Sequence, residues 1–70
     1  MTREQYNDIV TNFPLYKGQQ VEYKYFIPSA NRYSTSKGVI EAIGEKCNKD
    51  CIIIGDRNRK YAIYYKYVII

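Results

Sequence analysis

After Pro14 the spacing of apolar residues changes from a helical period to an alternating one, and this change constrains the fold more than any other feature of the chain. Before it, Tyr6, Ile9, Val10 and Phe13 form one apolar stripe, with Phe13 expected to be the most buried. Thr2 and Gln5 have the spacing of a capping box, and Glu4 and Asp8 lie toward the positive end of the helix dipole. Residues 2–13 therefore read as one helix, which Pro14 stops because the residue before a proline leaves helical geometry. So short a helix is unstable alone and must lie on a sheet.

The rest reads as strands. In "QQVEYKYFI", Val21, Tyr23, Tyr25 and Ile27 share one face, and Glu22 and Lys24 the other. "PSANRYSTSKG" reads as a polar loop, and "VIEAI" as a second strand between Gly38 and Gly44. "GEKCNKD" turns the chain into "CIIIG", a short apolar strand expected to be buried on both faces, and "DRNR" is a further turn in which Asp56 and Asn58 can bond to backbone. "KYAIYYKYVII" is too long for one strand and is expected to break near Tyr65–Lys66. The alternation places Val21, Tyr23, Val39, Ile43, Ile53 and Ile63 in the core.

Nine Tyr and ten Ile against one Leu reinforce the β reading, since Ile and Tyr favour strands. Ile, Tyr, Asn and Lys also have A/T-rich codons, which suggests an AT-rich genome such as that of a low-GC bacterium or its phage. Seventy residues make one domain, 1–70, with the helix at 2–13 and the strands in 19–70. Five short antiparallel strands bury best by closing on themselves, so the expected fold is a mainly β, five-stranded SH3-like or Sm-like antiparallel barrel preceded by one short helix. The order of elements resembles the Sm/Hfq layout, and "GVIEAI" followed by "CIIIGDRNRKYAIYYKYVII" is similar to the rhythm of that family's later strands. The short Gly-containing turn and the histidine of Hfq's RNA pocket are absent, so no site of that family carries over.

The chain has no histidine, no Gly-rich phosphate loop and no four-ligand zinc pattern, and it is expected to be non-catalytic, without cofactor or metal. Cys47 and Cys51 read as reduced structural thiols, with a disulfide or redox pair as the alternative. With no secretory signal and no long apolar run, the expected location is cytoplasmic, away from the membrane. The net charge of +4 permits a nucleic-acid partner. The strongest candidate surface is basic and aromatic: Arg57, Arg59, Lys60 and Lys66 flank Tyr61, Tyr64, Tyr65 and Tyr67, with Lys24, Arg32 and Lys37 able to join them. Cations hold phosphates and tyrosines stack on bases. The competing class is a protein-interaction module, one that blocks a host protein, as phage anti-defence factors do, or self-associates as a homo-oligomer through an open edge at "YVII". Exposed tyrosines on the same face as Arg57, Arg59 and Lys60 favour nucleic acid, whereas an exposed Tyr/Ile patch away from them favours a protein.

Overall fold

The computed structural model describes Met1–Ile70. Helix α1 (Arg3–Thr11) starts at the expected capping box: the Gln5 amide donates to the Thr2 hydroxyl at 3.1 Å, and the Thr2 amide donates to the Gln5 side chain at 2.8 Å. The helix ends two residues early. Pro14 is tolerated in the first turn of a helix, where no N–H is needed, and it opens a one-turn helix, α2 (Phe13–Tyr16), instead of only ending the first. Ile9 and Tyr6 are the buried residues of α1; Val10 is exposed and Phe13 only half-buried. Ile9, not Phe13, is the residue that docks the helix.

Five strands follow: β1 (Gln20–Ile27), β2 (Arg32–Lys46), β3 (Lys49–Asp56), β4 (Arg59–Tyr64) and β5 (Val68–Ile69). They form one antiparallel sheet in the order β4-β3-β2-β1-β5. The chain is mainly β with a short helix, as expected, but no ladder joins β4 to β5, so the strands do not close into the expected barrel. β5 is only two residues long, and the 3-10 turn Tyr65–Tyr67 between the two edge strands packs against α1 rather than extending either strand. The Met1 nitrogen donates to the Val68 carbonyl at 2.5 Å, tying the helix to this corner. The break expected near Tyr65–Lys66 is present.

The largest departure from the sequence reading lies in residues 28–38. Pro28–Ala30 make a single 3-10 turn, Asn31 follows in the left-handed region at φ 49°, and Arg32 onward pairs with β1 from Ile27↔Arg32 to Gln20↔Val39. The expected loop is thus half of a long hairpin. Small polar residues adopt strand here because β1 offers them a ladder, which is why strand propensity depends so much on context.

β2 runs for 15 residues and carries a bulge between Ile40 and Ala42. The extra residue restores Ile40 and Ile43 to one face although they are an odd number of positions apart. Ile40 is therefore fully buried and Val39 exposed, the reverse of plain alternation. β3 shows the same exchange, with Ile52 and Ile54 buried and Ile53 half-buried. Val21 and Tyr23 are buried as expected, and Ile43 and Ile63 pack on the margin of the core. A side chain at Gly38 would meet Ile54 Cγ2 at 2.5 Å and the Gly55 carbonyl oxygen at 2.6 Å, so its absence lets β2 lie close against β3 beside the bulge.

The β2–β3 and β3–β4 connections are two-residue turns, Cys47–Asn48 and Arg57–Asn58, with all four residues at positive φ (54°, 61°, 52° and 65°). That is the primed geometry whose twist matches a hairpin. The "GEKCNKD" turn is thus tighter than its composition suggests. Both thiols are free: Cys47 is exposed at its turn, and buried Cys51 contacts the Lys49 carbonyl at 3.3 Å.

Candidate functional site

α1 covers only one end of the inner side of the sheet. Beyond it, a groove of about 570 Å³ opens between β1, β2 and the edge strand β4, and no residue of α1 lines it. That size falls within the roughly 300–1,000 Å³ of small-ligand clefts. Alternation supplies the lining. Tyr23 and Tyr25 share a face of β1, and Arg59, Tyr61 and Ile63 share a face of β4. Ser36 sits across the ladder from Tyr23, and Asp56 across from Arg59.

Three tyrosines form a row. The Tyr23 ring lies 6.1 Å from Tyr25 and 6.3 Å from Tyr61, centroid to centroid. Tyr23 is buried, whereas Tyr25 is 40% and Tyr61 38% exposed, so the outer two residues remain accessible at the groove. Asp56 anchors the centre: its Oδ2 accepts from the Tyr23 hydroxyl at 2.7 Å and from Ser36 Oγ at 2.9 Å. These bonds favour the charged form and hold the Asp56 carboxyl below the usual carboxylate range. Burial, and then donation to Asp56, pushes the Tyr23 hydroxyl up.

Asp56 is therefore held mainly by hydroxyls and forms no salt bridge, although the nearby Arg57 charge also favours its ionised form. The single salt bridge of the chain, Arg3 to Asp50 at 2.5 Å, lies elsewhere on the surface. Arg57 and Arg59 line the groove with no carboxylate partner. Chemically the groove offers two accessible tyrosines, two unpaired guanidinium donors and one ionised acceptor.

Of the basic and aromatic residues singled out in the sequence, Arg57, Arg59 and Tyr61 come together here. The others are spread around the molecule. Lys60 lies outside the groove, in a shallow depression with Val39 and Glu41 that Asp56, Arg57 and Arg59 also border. Lys37 lies beside Glu22, Ile69 and Ile70. Lys24 is exposed on the outer face of β1, and Arg32 is exposed at the start of β2. Tyr65 is a core residue, its ring 4.9 Å from that of Tyr6, and is closed to stacking by a ligand. Tyr64 packs edge-on against Tyr65 at 5.0 Å, with the Lys49 and Lys66 ammonium groups 5.1 and 6.0 Å from its ring.

Tyr25, Thr35, Ser36 and Asp56 line the groove but are not among the candidate binding residues of the sequence. The in-phase Tyr23/Tyr25 pair was a legible signal. Ser36 was not, because its strand reads as a loop. A second aromatic surface is separate from the groove: Phe26 and Tyr33 meet edge-on at 5.3 Å, Tyr67 lies 5.8 Å from Tyr33, and all three are exposed. Comparison with protein-family models, curated proteins and solved structures finds no match to this chain.

Proposed function

We propose that the chain is a small non-catalytic module that binds single-stranded nucleic acid in the groove between β1 and β4. One observation carries the reading: the exposed rings of Tyr25 and Tyr61 share a groove with the unpaired Arg57 and Arg59. Stacking on aromatic faces requires unpaired bases, which points to a single strand rather than a duplex. Arg57 and Arg59 would hold phosphates while Tyr25 and Tyr61 hold bases. In this reading the curled open sheet is a variant of the SH3-like barrel, the protein works in the cytoplasm, and its AT-rich composition reflects a phage or mobile-element source. No helix is long and apolar enough to cross a membrane.

A salt titration of binding to labelled single- and double-stranded oligonucleotides tests this. Each phosphate contact to a single strand contributes about −0.7 to the slope of log affinity against log salt, so the two arginines should give roughly −1.4. Reversing both charges should flatten the slope, and Tyr61→Ala should weaken binding by about 1–3 kcal/mol. Absence of binding at about 50 mM salt, where screening is weak, would end the proposal.

The exposed Phe26–Tyr33–Tyr67 surface favours a second reading, a module that binds a host protein or a second copy of itself. Tyr33→Ala would then abolish capture of a partner or self-association in sedimentation and leave the groove untouched.

A further inference from the structure

We propose that the groove selects guanine, with the Asp56 carboxylate reading the base edge; this rests on the nucleic-acid reading above. Both acceptor sites of Asp56 Oδ2 are filled by the Tyr23 and Ser36 hydroxyls. Its Oδ1 accepts from no side chain of the protein, and Asp56 lines the groove as well as the depression beside Lys60. The two hydroxyls therefore orient Asp56 and leave two lone pairs for a ligand. A carboxylate in this state only accepts, so it calls for a partner with adjacent donors.

Among the bases, guanine alone places two donors side by side on its Watson–Crick edge, N1–H and the 2-amino group. Thymine and uracil present one N–H between two carbonyl oxygens, which repel a carboxylate. Cytosine and adenine present an amino group beside a ring-nitrogen lone pair, which also repels it. Guanine carries its O6 acceptor next to the donor pair. Arg59 is the cross-ladder neighbour of Asp56, and Arg57 follows it in the chain. An acceptor-only group beside unpaired guanidinium donors thus matches the donor–donor–acceptor order of guanine. Tyr25 and Tyr61 supply the faces on which such a base stacks.

The test uses the intact protein and labelled oligothymidine strands carrying one central guanine, inosine, cytosine or adenine, with anisotropy as the readout at low salt. The guanine strand is expected to bind on the order of ten-fold tighter than oligothymidine, the scale of one well-matched side-chain–base pair. Inosine, which lacks only the 2-amino group, is expected to lose most of that gain. Asp56→Asn keeps an acceptor for Tyr23 and Ser36 but turns an amide NH₂ toward the ligand, so it should erase the guanine preference while still melting cooperatively. The inosine comparison needs no mutation and decides the matter even if that variant misfolds. Equal affinity for all the strands overturns guanine selection and leaves the nucleic-acid reading standing; failure of every strand to bind overturns both. Guanosine monophosphate competing as well as the strand would uphold guanine selection and overturn the single-strand reading in favour of a free nucleotide.

Discussion

The two ends of the sheet's inner side are made by the same strands from opposite kinds of residue. At the α1 end, Ile9, Ile40, Ile52, Ile54 and Val68 exclude water completely. At the far end, Ser36, Asp56 and Arg59 surround two tyrosines that remain well exposed. The polarity changes in step along each strand. β1 passes from Val21 through Tyr23 to Tyr25, β2 from Ile40 through Gly38 to Ser36, β3 from Ile52 and Ile54 to Asp56, and β4 from Ile63 through Tyr61 to Arg59. A small domain has little core to spare. Concentrating burial under one helix lets the other end carry groups that would be costly to bury.

The comparison can be broken most directly at Ile9. Ile9→Ala removes a fully buried side chain that locks the helix over the core, and should cost about 2–5 kcal/mol in denaturant unfolding. Arg59→Ala at the open end should stay within about 0.5 kcal/mol. Comparable losses from both would mean that the two ends are not energetically distinct. Next is Gly38→Ala, which drives a methyl group into Ile54 and the Gly55 backbone just where the closed end gives way to the groove. Overpacking of this kind should cost about 1–3 kcal/mol, visible as a lower unfolding midpoint.

Tyr23 bridges the two ends, and Tyr23→Phe removes its bond to Asp56 at a cost of about 1 kcal/mol. The pH dependence sharpens the point. Because the folded Asp56 carboxyl is held down, its contribution to stability is complete above its unfolded value near pH 4 and is lost as pH falls through the lower folded value. Tyr23→Phe should move the Asp56 midpoint upward in an NMR titration, and an unmoved midpoint would mean that the hydroxyl does not orient the carboxylate. The smallest effect is expected at the β2–β3 turn, away from the groove. Cys47→Asn with Asn48→Gly places residues that prefer positive φ at both positions and should raise stability by up to about 1 kcal/mol, read as an upward shift in melting temperature.

Local rules carried the sequence reading where they were sufficient. The Thr2–Gln5 capping box, the alternation of Val21, Tyr23 and Tyr25, and the break after Tyr64 all depend on near neighbours, and all are present. Alternation failed at Val39 and Ile53. A bulge at Glu41 changes the phase of β2 and carries no local signature, and the run "III" in β3 has no polar residue to mark its faces. The candidate site was half legible for the same reason. Arg57, Arg59 and Tyr61 are close in sequence and stood out as a basic, aromatic run.

By itself the sequence determined the capped start of the helix, the β character of the rest, the hairpin turns at Cys47–Asn48 and Arg57–Asn58 and the basic, tyrosine-rich chemistry on offer, because each follows from the conformational preferences of short segments. Only the tertiary structure decided that "RYSTSKG" is strand, that the sheet stays open between β4 and β5, and that Asp56 meets Tyr23 and Ser36. Each of these depends on a partner distant in the chain: β1 supplies the ladder that makes polar residues extend, and the turn under α1 keeps the edges apart. The groove exists because three strands bring Tyr23, Ser36 and Asp56 together, 13 to 33 positions apart in sequence, at the end of the sheet that the helix does not cover.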